Sequence, residues 1–285
     1  MDPRPCTLDT CPIENAYIHY QPTIPGNSIY LALFGILLIA QLIQSFFFRM
    51  WGFAGAMAAG LTLEVAGYIG RILQHGNPFS FDYFLLDLIC LSLGPVFFCA
   101  ALYLLLGQII IIYHGEDVSR LKSRNYAIFF VSCDVIALIL QSAGGALTST
   151  AEGADGRQMG LNIMIAGLAF QVAALTLFIA LSSETITRPS KERKHGSSSS
   201  SLTMAAIVLA TITVYTRSIF RVAELNGGYD SDLANDEVTF MILEGAMVSI
   251  TCLCLTIMHP GMYLESRNKR KSVAIALSQR IPDWK

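Results

Sequence analysis

The stretch LTLEVAGYIGR, residues 61–71, sets a carboxylate, Glu64, and a guanidinium, Arg71, inside a long apolar run. Seven residues turn an α-helix through about 700°, so the two groups fall within about 20° of one stripe. Gly60, Gly67 and Tyr68 lie near that stripe, while the other faces carry Leu, Ala, Val and Ile. The stretch DVIALILQSAGG repeats the spacing, with Asp134 and Gln141 seven apart and Gly145 four further on. In TRSIFRVAE, Arg217, Arg221 and Glu224 stand at i, i+4 and i+7, and Glu244 is followed one stripe-length later by Thr251. Such a set, Glu64, Tyr68, Arg71, Asp134, Gln141, Arg217, Arg221 and Glu244, can shelter a polar headgroup. A charge at the centre of a bilayer costs about 2.5–3.5 kcal/mol on insertion scales, so each one needs a reason. The competing reason for Glu64 and Asp134 is interhelical glue. For Arg71 it is an interfacial turn from which the side chain snorkels. For Arg221 and Glu224 it is a place at the water boundary.

The elements that must carry these residues follow from composition. Of 285 residues, 53% are hydrophobic and 14% charged, where a soluble domain carries about 25% charge. Mean hydropathy is +0.53. The apolar residues lie in blocks about as long as a bilayer core is thick, and in lipid a spanning segment must satisfy its own backbone. The blocks predict an all-α membrane protein with seven spans at residues 29–48, 53–73, 84–113, 126–149, 159–181, 202–219 and 240–258. The third is long enough to tilt or to kink at Pro95. Residues 1–28 read as a polar tail rather than a secretory signal, residues 29–258 as the seven-helix domain, and residues 259–285 as a basic tail.

Of the 19 Lys and Arg, fourteen fall on one side of the seven spans and two on the other, with Arg71, Arg217 and Arg221 in or at the rim of spans. That bias predicts an external N-terminus and a cytosolic C-terminus. The connection before the last span is acidic, with Asp230, Asp232, Asp236 and Glu237. The one after the fifth span, RPSKERKHGSSSSS, reads as a flexible linker. Counting rise per residue, Arg71, Gln141, Arg217, Arg221 and Glu244 converge in the outer half of the membrane, with Asp134 deeper. This predicts an Arg217–Glu244 contact and a pairing of Glu64 with Arg71 or Arg217.

Other chemistries find little support. The five His, at 19, 75, 114, 195 and 259, fall in the tail, loops or span ends, which disfavours a zinc hydrolase. There is no GxxxxGK[ST] loop, and no lysine in the last span to hold a retinal Schiff base. We therefore expect no enzyme activity, cofactor, metal or nucleic-acid partner. Of seven cysteines, five lie in spans as small packing residues, while Cys6 and Cys11 share the outer tail, where a bridge is plausible chemistry. A seven-helix receptor or sensor for an amphiphile shares this topology and is the alternative function. It is weakened by a third span ending IIIIYHGED and a last span lacking NPxxY.

Six phrases in order carry a family resemblance: YQPTIPGNSIYLALFG, LEVAGYIGR, PVFFCAALYLLLGQII, DVIALILQSAGG, RSIFRVAEL and HPG at residues 259–261. The chain resembles the fungal lipid-translocating exporters, which include aminocholesterol-resistance-like and sphingoid-base-exporter-like proteins. The resemblance implies a seven-span protein, often of the plasma membrane, that exports amphipathic lipids such as sphingoid long-chain bases. Some members are linked to porphyrin handling. It also implies that Glu64, Arg71, Asp134, Gln141, Arg217, Arg221, Glu224 and Glu244 occupy the family's characteristic polar positions. The family pattern often sets an aspartate soon after the last glutamate, and here residues 245–249 carry none.

Overall fold

The structure, a computed structural model, describes residues 11–13, 16, 18–114, 123–151, 153–187, 198–227 and 236–258. Among them are seven helices long and apolar enough to cross a membrane, and no strand. They are α1 (Ile24–Phe48), α2 (Trp51–Gly76), α3 (Phe81–His114), α4 (Ser123–Thr150), α5 (Ala154–Thr187), α6 (Ser198–Asn226) and α7 (Glu237–Ile257). Within α7, Met241–Ala246 form a π-helical turn.

The ends show what hydropathy misses. Helix α1 starts at Ile24, ahead of the expected residue 29, because Pro25 sits in its first turn with φ already set for a helix. It stops at Arg49, which adopts the left-handed conformation at φ 54° and returns its N–H to the Ser45 carbonyl. Helix α3 runs unbroken through Pro95. Helix α6 continues to Asn226, past the expected residue 219. Helix α7 begins at Glu237, capped by Asp236, whose carboxylate accepts from the Val238 N–H at 3.1 Å and from the Thr239 hydroxyl.

Neighbours in sequence are neighbours in space from α1 through α7, and α7 returns to α1. Helix α3 is the centre: it touches α2, α4, α6 and α7. Its span is 61% buried against 17% for α1, so side chains on α3 face the interior on nearly every side. Phe34, Met57, Leu61, Phe98, Leu102, Val214 and Cys252 share one core around it. The outside is apolar: Ile29, Ile36, Ile39, Phe46 and Phe47 of α1 are all more than half exposed. A continuous surface of that kind suits hydrocarbon, not water. The α4–α5 contact is made by small residues. A Cβ on Gly144 would lie 2.6 Å from the Met164 nitrogen, so the two backbones approach as closely as they do only because Gly144 has none.

Candidate functional site

Each buried arginine answers a group that the bundle would otherwise leave unpaired. Arg71, near the end of α2, is 1% exposed. Its Nε donates to Asn27 Oδ1 at 3.1 Å, Nη1 to Asp87 Oδ2 at 3.2 Å and Nη2 to the Tyr20 hydroxyl at 2.7 Å. Its guanidinium also lies 3.8 Å from the centroid of the Phe240 ring, a cation–π contact. Burial pushes the Tyr20 phenol above its ordinary value, and the Arg71 charge draws it partly back.

Arg217 of α6 pairs with Glu244 of α7, Nε donating to Oε1 at 3.0 Å and Nη2 to the same oxygen. The same Nη2 donates to the Leu91 carbonyl. Leu91 stands four residues before Pro95, which has no N–H to give it. Arg217 thus satisfies the carbonyl that the proline frees in the middle of α3, and this lets the helix pass Pro95 without exposing an orphan acceptor to lipid. One turn on, Arg221 Nη1 donates to Glu224 Oε2 at 2.7 Å and Nη2 to Ser92 Oγ at 2.7 Å. Below this layer Thr213 and Thr251 share a hydroxyl contact of 2.7 Å.

Glu64 is different. It is fully buried, and neither carboxyl oxygen has a hydrogen-bond partner among the described residues. A Cβ on Gly94 would lie 2.5 Å from its Oε1, so any side chain there would have to displace the carboxyl. The Tyr68 hydroxyl and Glu244 Oε2 are also buried without a partner. Tyr68 is one turn from Glu64, and its hydroxyl borders Gly245, the residue after Glu244. Asp134 lies elsewhere, on α4 beside Tyr103 and Cys99 of α3, and both its oxygens lack a partner of normal hydrogen-bond geometry.

The Arg217–Glu244 pair expected from depth is present. The expected pairing of Glu64 with Arg71 or Arg217 is not: Arg71 is taken by Asn27, Asp87 and Tyr20, and Arg217 by Glu244 and Leu91. Gln141 does not join the arginines either. It faces α5, where its Nε2 donates to Gln171 Oε1 at 3.0 Å. Arg71 is buried within the bundle at 1% exposure, and Arg221 and Glu224 are buried at 3% and 9%. The sequence reading missed Asp87, Asn27, Tyr20, Ser92 and Gln171. Asp87 carried the signal already applied to Glu64, a carboxylate inside an apolar block, and the carbonyl freed by Pro95 called for a donor.

Cys11 is disulfide-bonded, and Cys6 lies outside the described residues. Cys90, Cys99, Cys133, Cys252 and Cys254 are free. Among the described residues no three His, Cys, Asp or Glu side chains are placed to hold a metal. Of the basic residues behind the charge bias, Arg120 and Lys122 of the third connection, Arg188, Lys191, Arg193 and Lys194 of the fifth, and the tail 259–285 lie outside the described residues.

Seven long apolar helices around a buried ionic cluster define a multi-pass membrane protein. Residues 57–267 match the family described as RTA1 like protein, and the chain belongs to that family. It is 31% identical to the sphingoid long-chain base transporter RSB1 of Saccharomyces cerevisiae, over 87% of this chain and 74% of that one. It is 27% identical to protein RTM1 of the same yeast, over 68% of this chain and 63% of that one. It is 25% identical to protoporphyrin uptake protein 1, also of that yeast, over 70% of this chain and 65% of that one. Among solved structures, a thermophilic rhodopsin aligns with a TM-score of 0.48 at 12% identity, covering 86% of this chain and 97% of that one.

Proposed function

We propose that the protein carries amphipathic lipids, sphingoid long-chain bases foremost, across a fungal plasma membrane, with its N-terminus outside and its C-terminus in the cytosol. The observation that carries this reading is an interior holding buried Glu, Asp and Arg side chains inside an exterior suited to hydrocarbon. A headgroup can enter the polar interior while its tail stays in lipid. Glu64 and Asp134 are the anionic stations and Tyr68 bonds a hydroxyl. Arg71, Arg217, Arg221 and Glu244 form the ionic frame around the first station, and Gln141 braces the α4–α5 side. The transporter names of the yeast relatives support this reading, and the fourteen-to-two distribution of basic residues supports the orientation.

The test is transbilayer movement of labelled sphinganine, phospholipid and porphyrin in proteoliposomes. Wild-type protein should speed sphinganine above protein-free vesicles, and Glu64→Gln should slow it at least about tenfold, the loss of about 1.4 kcal/mol of headgroup binding. A wild-type rate equal to that of empty vesicles would overturn carriage. A ligand-dependent change in a cytosolic partner without flux would favour a receptor.

A further inference from the structure

Charge inside the end of the bundle where α1 starts does not balance. Three guanidinium groups, Arg71, Arg217 and Arg221, are matched one to one by Asp87, Glu244 and Glu224. Glu64 is the fourth carboxyl, and among the described residues neither of its oxygens has a hydrogen-bond partner and no arginine is ion-paired with it. The charged and titratable groups that act on it come from four helices: Tyr68 on its own α2, Asp87 and the Cys90 thiol on α3, Arg217 and Arg221 on α6, and Glu244 and the Cys252 thiol on α7. Both nearby arginines already hold carboxylates, so neither is available to it.

An isolated carboxylate in such a medium is too costly to persist; it is neutralised by a proton or by a cation. Two states of this interior are therefore electroneutral. In one, Glu64 carries a proton. In the other, Glu64 is ionised and a monovalent cation lies against it. The acceptors left open describe that cation. Glu64, the Tyr68 hydroxyl and Glu244 Oε2 are buried, unpartnered and adjacent along α2 and α7. A primary ammonium has three N–H donors and no acceptor, and each of these three side chains offers it at least one open oxygen. The π-helical turn that carries Glu244 is the kind of helix irregularity found at functional sites.

From this charge count we infer that Glu64 is an exchange site at which one proton and one primary ammonium headgroup exclude each other, so that amine moving one way returns a proton the other way. This rests on the transporter reading and adds its coupling. The step balances: the protonated Glu64 carboxyl meets an alkylammonium ion, its O–H bond breaks, the proton leaves to water, and the carboxylate keeps the ammonium as an ion pair. The other lipids of the family's relatives need not follow this route, because an uncharged or anionic head cannot take the place of the proton.

The test uses the full chain in phosphatidylcholine nanodiscs, with protein-free nanodiscs subtracted, titrated calorimetrically in buffers of different ionisation enthalpy. The probes are sphinganine and N-acetylsphinganine, which keeps the hydroxyls and chain but has no ammonium. Wild-type protein should release about one proton per sphinganine bound, and its sphinganine affinity should fall up to about tenfold for each unit the pH is lowered. N-acetylsphinganine should release none, and its affinity should not follow pH. Glu64→Gln should abolish the proton release. Sphinganine binding with no proton release by the wild type would overturn exchange while leaving carriage intact. No sphinganine binding by the wild type would overturn both.

Discussion

The α6–α7 and α4–α5 contacts hold helices together by opposite means. In the first, Arg217 reaches across to Glu244 and on to the Leu91 carbonyl of α3, so the contact is long-armed and ionic. In the second, Gly144 and Gly160 bring the backbones close, and Gln141 and Gln171 add a neutral amide pair. The first places buried polar groups between its helices. The second sets the two backbones against each other, with little room for a side chain at Gly144 or Gly160.

That contrast can be broken from the ionic side first. Arg217→Met leaves Glu244 buried without its cation and should cost about 3–5 kcal/mol of stability. Arg217→Met with Glu244→Met should regain most of it. Thermal unfolding in nanodiscs reads both, and equal losses in the single and double variants would show that the pair is not what holds α6 to α7. On the close-packed side, Gly144→Ala meets backbone rather than a side chain that could move. It should cost about 1–3 kcal/mol in the same measurement. No change there would mean that α4 and α5 stand further apart than described.

The smallest effect belongs to Asp236, at the α7 N-terminus. Its bonds from Thr239 and Val238 hold its carboxyl below the ordinary aspartate range. A lowered carboxyl stabilises above that range, and the contribution is lost as pH falls through it and below. Asp236→Ala should therefore lower Tm slightly at neutral pH, and the gap to wild type should close in acid. A gap that stays constant into acid would deny the carboxylate its capping role.

Block length made the seven helices legible, and rise per residue made Arg217–Glu244 legible, because both depend on quantities one helix possesses alone. Glu64 shows the limit. Helical period fixes which stripe it occupies, but not which neighbour that stripe meets or whether the neighbour's cation is already engaged. Arg221 and Glu224 misled because RVAELN reads as a polar helix end, whereas in the bundle the two neutralise each other and Arg221 also holds Ser92. Asn27 and Tyr20 were invisible for a related reason: they precede the first apolar block and become interior only when α2 packs against them.

The residues just ahead of α1 also tie into other helices. Gln21 Nε2 donates to the His75 carbonyl at 2.7 Å, and His75 Nδ1 meets the Pro22 carbonyl at 2.8 Å. The Thr23 N–H donates to Glu237 at 2.7 Å. With Tyr20 on Arg71, four successive residues knot three helices at one end. A chain trimmed to begin at its first apolar block would shed these ties together, so N-terminal truncation is a perturbation of the bundle and not a neutral step in making a shorter reagent.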